Sequence, residues 1–229
     1  MVSIDSLSKS FDRHRLFLES PYQSTLALDS DLIFRASIDP LWEPLEQSGV
    51  LLTRFYAPPF GVDGTRERPG FANRMAFLAG IRRLIDKDLY ERTVRRLLVD
   101  RIDINIGVMG ISRPTGDAFL ADLASHLERG RPHAIPLLDE MLVVALAGKH
   151  QHRLVNEIWN CPADEFFRRT NLADARVIHY FAEGHAVHGI ALGRNPNTWA
   201  GLKWRTQFDQ AVSRVPLHRW SSYDPVLAR

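Results

Sequence analysis

One cysteine, Cys161, is present among the 229 residues of this chain. A lone thiol excludes an internal disulfide and any zinc site that needs several cysteines, and it fits a reducing compartment. No apolar run approaches the length that crosses a bilayer, and residues 1–10 are too polar to form the apolar core of a signal peptide. We therefore expect a cytoplasmic protein that lacks a transmembrane segment.

A strong charge of either sign is also missing. The net charge is +2 and the sequence pI is about 8.8, which is too mild to indicate nucleic acid or a membrane as a partner. Arginine pairs at residues 82–83 and 95–96 fall in a predicted helix that also carries acids. A solvated, ion-paired helix face explains them better than a nucleic-acid groove, so we predict no nucleic-acid partner.

Apolar periodicity and chain-breaking residues predict one α/β domain over residues 1–229. Predicted helices cover residues 5–19, 40–47, 71–100, 117–129, 137–148 and 198–214. Predicted strands cover residues 24–28, 32–34, 50–56, 102–111, 152–158 and 176–180. Residues 57–70, rich in Pro and Gly, are predicted to form a loop that is either a lid or a mobile connector, and residues 198–229 a last helix with a loose tail.

Two acids one residue apart, Asp29 and Asp31, interrupt an apolar run. Because residues i and i+2 of an extended chain face the same side, both carboxylates can reach one point. Carboxylate oxygens at such a point suit a hard divalent cation such as Mg²⁺ or Mn²⁺. The alternative is that these acids and Ser30 form only a polar turn between two strands.

Polar residues also occur in the β-branched run at residues 102–111, where Asp103 and Asn105 share one face of the predicted strand. Taken as structure alone, an edge strand with a glycine bulge explains this segment.

Further along, Asp139 and Glu140 stand at the start of a predicted helix. Acids at that place ordinarily complement the helix dipole.

Several short segments form an ordered set of motifs. They are Ser20–Tyr22, Leu28–Asp31, Ile38–Leu45, Asn105–Met109, Asp139–Glu140, Trp159–Asn160 and Ile178–Tyr180. Together they resemble the motifs of nucleotide-sugar glycosyltransferases of the GT-A fold, over roughly residues 15–190. The likeness is closest to the family 8-like group and to the putative nucleotide-diphospho-sugar transferases.

The resemblance implies a GT-A-like mixed sheet flanked by helices, with a site assembled from these motifs. It implies that Asp29, Asp31 and His179 bind Mn²⁺ or Mg²⁺. It makes Asp139 and Glu140 candidates for acid–base chemistry or for holding sugar hydroxyls. The candidate substrate-binding residues are Asp103, Asn105, Gly107, Trp159, Asn160, Gly184 and His185.

The implied activity is metal-dependent transfer of a sugar from a nucleotide diphosphate donor, most readily a UDP-sugar, to an acceptor that the sequence leaves open. Many relatives carry a diphosphate-binding lysine after the glycine that matches Gly184, whereas this chain has His185, which is neutral for much of the time near pH 7. Only 28 residues precede Asp29, fewer than two βα units need. We therefore expect an N-terminally truncated GT-A fold whose nucleotide-binding part is short or missing.

Two other functions stay open. A non-catalytic glycosyltransferase-like module that binds a sugar or a protein partner would show no metal-dependent affinity for nucleotides. A metal hydrolase would instead gather histidines around a zinc ion, although no trio here has the tight spacing of a zinc motif. Its candidate ligands are His150, His152, His179, His185 and His188.

Overall fold

A computed structural model describes residues 13–29, 32–55, 77–100, 102–133, 135, 137–162 and 174–179. Its helices are α1 (Arg13–Glu19), α2 (Trp42–Ser48), α3 (Lys87–Leu98), α4 (Asp117–Gly130) and α5 (Leu138–Leu146), and residues 77–81 are also helical. Its strands are β1 (Ser24–Leu28), β2 (Leu32–Phe34), β3 (Val50–Arg54), β4 (Ile104–Ser112), β5 (Arg153–Val155), β6 (Cys161–Pro162) and β7 (Val177–His179). Short 3₁₀ turns occur at Asp39–Leu41, Arg131–His133 and Glu157–Trp159.

The strands form two sheets of mixed direction. The first has the order β1–β4–β3–β5, in which β4 is antiparallel to β1 and β3, while β3 and β5 are parallel. The second has the order β2–β7–β6, with β2 antiparallel and β6 parallel to β7. Helices flank the first sheet, so the predicted α/β class with a mixed sheet is confirmed.

Strand β4 lies in the middle of the first sheet and is buried along its whole length. It pairs with a strand on each side, so the interpretation of this segment as an edge strand is wrong. A largely β-branched and apolar run that is buried on both faces fits a fully covered strand. The register between β3 and β4 shifts after Leu51, and Thr53 Oγ1 donates to the carbonyl of Val108 at 2.6 Å across the irregular part.

Helix boundaries follow local capping signals. Helix α2 ends at Gly49, which is left-handed at φ 77° and would bring a Cβ within 2.6 Å of Thr115, so both conformation and packing favour glycine. The single helix predicted over residues 71–100 is instead two helical segments within the described part. Asp86 separates them, because its extended backbone and its side chain cap α3, accepting from the N–H of Leu89 at 2.7 Å.

The main core lies between the first sheet and helices α3, α4 and α5. Every residue of α5 is buried, including the charged Asp139 and Glu140 in its first turn. A smaller apolar cluster packs α2 against both sheets and consists of Leu41, Leu45, Leu51, Val108, Trp159 and Val177. This second cluster packs β3, β4 and β7 together beneath α2.

Several predicted features lie outside the described residues, namely the loop at residues 57–70, the helix at 198–214 and the tail that follows it. None of the helices in the described ranges is both long enough and apolar enough to cross a membrane.

Candidate active site

Asp29 follows the last residue of β1 and is the charged centre of the site. Its backbone N–H donates to the carbonyl of Gly107 at 2.9 Å, which extends the pairing of β1 with β4. One carboxylate oxygen, Oδ1, accepts from the guanidinium of Arg13 on α1, and Arg13 also donates to the carbonyl of Ile106. The other, Oδ2, lies 3.5 Å from Nε2 of His179. With its side chain 27% exposed, Asp29 is accessible to a ligand.

His179 ends β7 and is almost fully buried, at 1% exposure. Its ring lies directly over Gly107, where an added Cβ would be 2.6 Å from Nδ1. Such a separation is shorter than any ordinary contact, so only glycine at residue 107 leaves room for this imidazole. Because residue 107 has no side chain, the backbone there allows the imidazole ring of His179 to pack directly against it.

Two buried amides connect His179 to the first turn of α5. Nδ1 of His179 lies 2.8 Å from Oδ1 of Asn160, and Nδ2 of Asn160 donates to Oδ1 of Asn105 at 2.8 Å. Asn105 accepts at the same oxygen from the N–H of Gly107 at 2.8 Å and donates through Nδ2 to Glu140 Oε2 at 3.2 Å. All four side chains of this relay, those of His179, Asn160, Asn105 and Glu140, are at least nine-tenths buried.

Asp139 is a buried carboxylate beside this relay. It is 4% exposed, its Oδ1 accepts from the N–H of Glu140 at 2.9 Å, and its Oδ2 has no hydrogen-bond partner within the described residues. Burial raises the pKa of Asp139 from 3.8 to about 6, against the opposing effect of Arg13. That value already includes smaller contributions, since the negative charges of Glu140 and Asp29 raise the pKa and the hydrogen bond from the N–H of Glu140 lowers it. Its carboxyl group is thus poised to exchange a proton near neutral pH.

Asp29 and His179 contribute two of the three donor groups expected for a divalent cation. A carboxylate oxygen and an imidazole nitrogen 3.5 Å apart are a mixed oxygen and nitrogen set that Mn²⁺ accepts. The third expected ligand, Asp31, lies outside the described residues. Within the described ranges no three His, Cys, Asp or Glu side chains are grouped closely enough to hold a metal. The ion pair from Arg13 occupies one oxygen of Asp29, which leaves Oδ2 facing His179.

The structure brings together most of the described residues predicted for the site. Asn105, Gly107, Asn160, His179 and Glu140 form one connected network, and Asp29 joins it through Gly107. Asp103 lies just ahead of β4, where its Oδ1 accepts from the N–H of Ile104 at 2.8 Å. Trp159 is buried and stacks under the guanidinium of Arg176 at 4.9 Å. Asp31, Gly184 and His185 lie outside the described residues.

Arg13 is a site residue that the sequence did not single out. It belongs to an amphipathic helix that carries other basic residues, and nothing in its neighbourhood marks it. Its place in the site comes from a contact with Ile106, 93 residues further along the chain. Only the packing of α1 against the first sheet creates that contact.

Two of the histidines considered for a hydrolase site serve in packing elsewhere. His150 Nε2 lies 2.8 Å from Oδ2 of Asp122, which also accepts from Lys149 at 2.6 Å. His152 Nε2 lies 3.0 Å from the guanidinium of Arg96. These contacts tie the segment after α5 to α3 and α4, and His185 and His188 lie outside the described residues.

The fold is similar to the crystal structure of the galactosyltransferase LgtC, determined in complex with donor and acceptor sugar analogs. The two chains are 17% identical, with a TM-score of 0.51, and the similarity covers 97% of this chain and 73% of LgtC. No protein-family model and no curated protein matches the sequence. The chain therefore has a GT-A-like glycosyltransferase fold, whereas identity this low leaves its particular family open.

Proposed function

We propose that this protein is a metal-dependent glycosyltransferase that moves a sugar from a nucleotide diphosphate donor, a UDP-sugar in the first instance, to an acceptor. The observation that carries the proposal is the approach of Asp29 Oδ2 to His179 Nε2 at 3.5 Å at the strand ends of a GT-A-like fold. Two ligand atoms of different elements converge there, next to a buried carboxylate and a guanidinium.

Asp29 and His179, together with Asp31, would hold Mn²⁺ or Mg²⁺. A bound cation supplies stabilisation of the negative charge that develops on the nucleoside diphosphate as its bond to the sugar breaks. Near the same point, Arg13 places a second positive charge between Ile106 and Asp29. This guanidinium can donate to sugar or phosphate oxygens, since its planar fork presents several N–H groups.

In this proposal Asp139 is the residue that acts on the sugar. Its Oδ2 is the buried carboxylate oxygen that is left for a substrate hydroxyl within the described part of the chain. Because burial raises its pKa to about 6, the group can accept or release a proton near neutral pH. Glu140 is instead engaged by the amide of Asn105, which suits a role in holding the site together.

The proposal is tested by incubating the protein with UDP-sugars and Mn²⁺ and measuring release of UDP, with and without simple sugar acceptors. We expect metal-dependent release that Asp139→Asn and His179→Gln each reduce by at least about 100-fold. Asp122→Asn is the matched control, since this carboxylate pairs with Lys149 and His150 away from the site. Release that is independent of metal, or equal in all three variants, would contradict the proposal.

A further inference from the structure

Asn160 was expected to bind substrate, yet its side chain has 0% exposure. Its side-chain amide contacts Asn105 and His179. We infer that Asn160 is a positioning residue, which holds His179 in the Nδ1–H tautomer so that the lone pair of Nε2 points at Asp29 and at a bound cation. The inference deepens the proposed function, on which its cation depends.

Two backbone groups fix the orientation of the side-chain amides of Asn105 and Asn160, because one group can only donate and the other can only accept. The N–H of Gly107 can only donate, so the atom of Asn105 that lies 2.8 Å from it is the oxygen, and the amide nitrogen faces Glu140. The carbonyl of Asn105 can only accept, so the atom of Asn160 that lies 3.2 Å from it is the nitrogen. Each amide is thereby oriented without any assumption about the histidine.

The tautomer of His179 follows from these orientations. Once Nδ2 of Asn160 faces Asn105, its Oδ1 faces Nδ1 of His179 at 2.8 Å. An oxygen at that distance needs a proton on Nδ1, and a neutral imidazole then carries its lone pair on Nε2. The nitrogen that carries this lone pair lies 3.5 Å from Oδ2 of Asp29, so the imidazole nitrogen and the carboxylate oxygen can bind one cation together.

Gly107 also restricts the position of the His179 ring. The imidazole lies over the glycine so closely that a Cβ would be 2.6 Å from Nδ1 and 2.9 Å from Oδ1 of Asn105. The ring is therefore held from beneath by β4 and from the side by Asn160. Residues that orient a metal-binding histidine typically change metal affinity about 10- to 100-fold when they are removed.

The first test is the tautomer itself, observed without metal. Protein labelled with ¹⁵N-histidine is examined by long-range ¹H–¹⁵N correlation at about pH 8, where ordinary imidazoles are neutral. The signal of His179 is assigned by its absence in His179→Gln. We expect the Nδ1–H form in the wild type and loss of that preference in Asn160→Leu, which removes the accepting oxygen.

The second test is calorimetric titration with Mn²⁺. Asn160→Leu is expected to bind Mn²⁺ about 10- to 100-fold more weakly than the wild type does. Thr93→Val is the control for stability, because it removes one buried bond, from Thr93 Oγ1 to the carbonyl of Leu89 at 2.7 Å.

The outcomes separate this inference from the proposed function. An Nε2–H tautomer in the wild type overturns the inference even if Asn160→Leu fails to fold. An unchanged tautomer and unchanged Mn²⁺ affinity in Asn160→Leu overturn it as well. If the wild type shows the Nδ1–H form but binds no Mn²⁺, the positioning role stands and the proposed metal-dependent function fails.

Discussion

The stability of Asp139→Asn relative to the wild type is expected to be higher near neutral pH than in acid. Burial raises the pKa of Asp139 from 3.8 to about 6, so the folded protein holds this proton more tightly than the unfolded chain does. Ionisation therefore costs stability progressively as the pH rises from about 4 through about 6. At 1.36 kcal/mol per pKa unit, the full cost is about 3 kcal/mol at neutral pH.

The assay is urea unfolding of the wild type and of Asp139→Asn at about pH 4 and about pH 7.5. The variant keeps an oxygen that can accept from the N–H of Glu140, as Oδ1 does now, while its new amide N–H groups carry a burial cost at both pH values. The change with pH in the stability difference isolates the ionisation. We expect the variant to gain about 2–3 kcal/mol on the wild type between the two conditions.

Asp122→Asn provides the control of opposite sign. Burial alone raises the pKa of Asp122, but hydrogen bonds from Lys149 and His150 outweigh burial and lower that pKa. Its ionised form therefore supports folding above the ordinary pKa and loses this support in acid, so Asp122→Asn should be the less stable protein at pH 7.5. A stability difference for Asp139→Asn that does not vary with pH would refute the reasoning.

Three further predictions follow from the same network. Gly107→Ala should cost about 1–3 kcal/mol in urea unfolding and weaken Mn²⁺ binding, because its Cβ would meet His179 at 2.6 Å; Gly148→Ala, whose nearest neighbour is at 3.2 Å, should cost less. Arg13→Met should tighten Mn²⁺ binding in calorimetry, since a positive charge leaves Asp29, and slow sugar transfer. Cys161 is buried and its pKa is raised to about 12 by desolvation and by Glu157, so a chromogenic thiol reagent should react with it only after unfolding; fast reaction in buffer would contradict this burial.

Local periodicity predicted the elements that carry the site, whereas most site residues were named from the resemblance to GT-A glycosyltransferases. The alternation of side chains along an extended chain predicted a strand that carries Asn105 and Gly107, and both residues lie in β4. Apolar alternation with glycine and proline breaks predicted the mixed α/β class, which the structure and its similarity to LgtC confirm. Such signals survive in a single sequence because neighbours along the chain determine them.

The parts that escaped prediction depend on contacts between distant segments. Arg13 reaches the site because α1 packs beside Ile106, and no local pattern encodes that distance. Whether the segment at residues 102–111 is central or at an edge depends on which strands pair with it, and β1 and β3 both do. The break at Asp86 was a local signal that helical periodicity on both sides concealed, since an aspartate three residues before Leu89 is an ordinary helix cap.

The most direct test of the central claim is calorimetric titration of UDP into the protein with and without Mn²⁺, alongside Asp29→Asn and the control Asp122→Asn. We predict UDP binding that requires Mn²⁺, that is lost in Asp29→Asn because a ligand oxygen beside His179 loses its charge, and that Asp122→Asn retains. Failure of the folded wild type to bind UDP in the presence of Mn²⁺, or equal binding without the metal, would contradict a metal-dependent nucleotide-sugar site at Asp29 and His179.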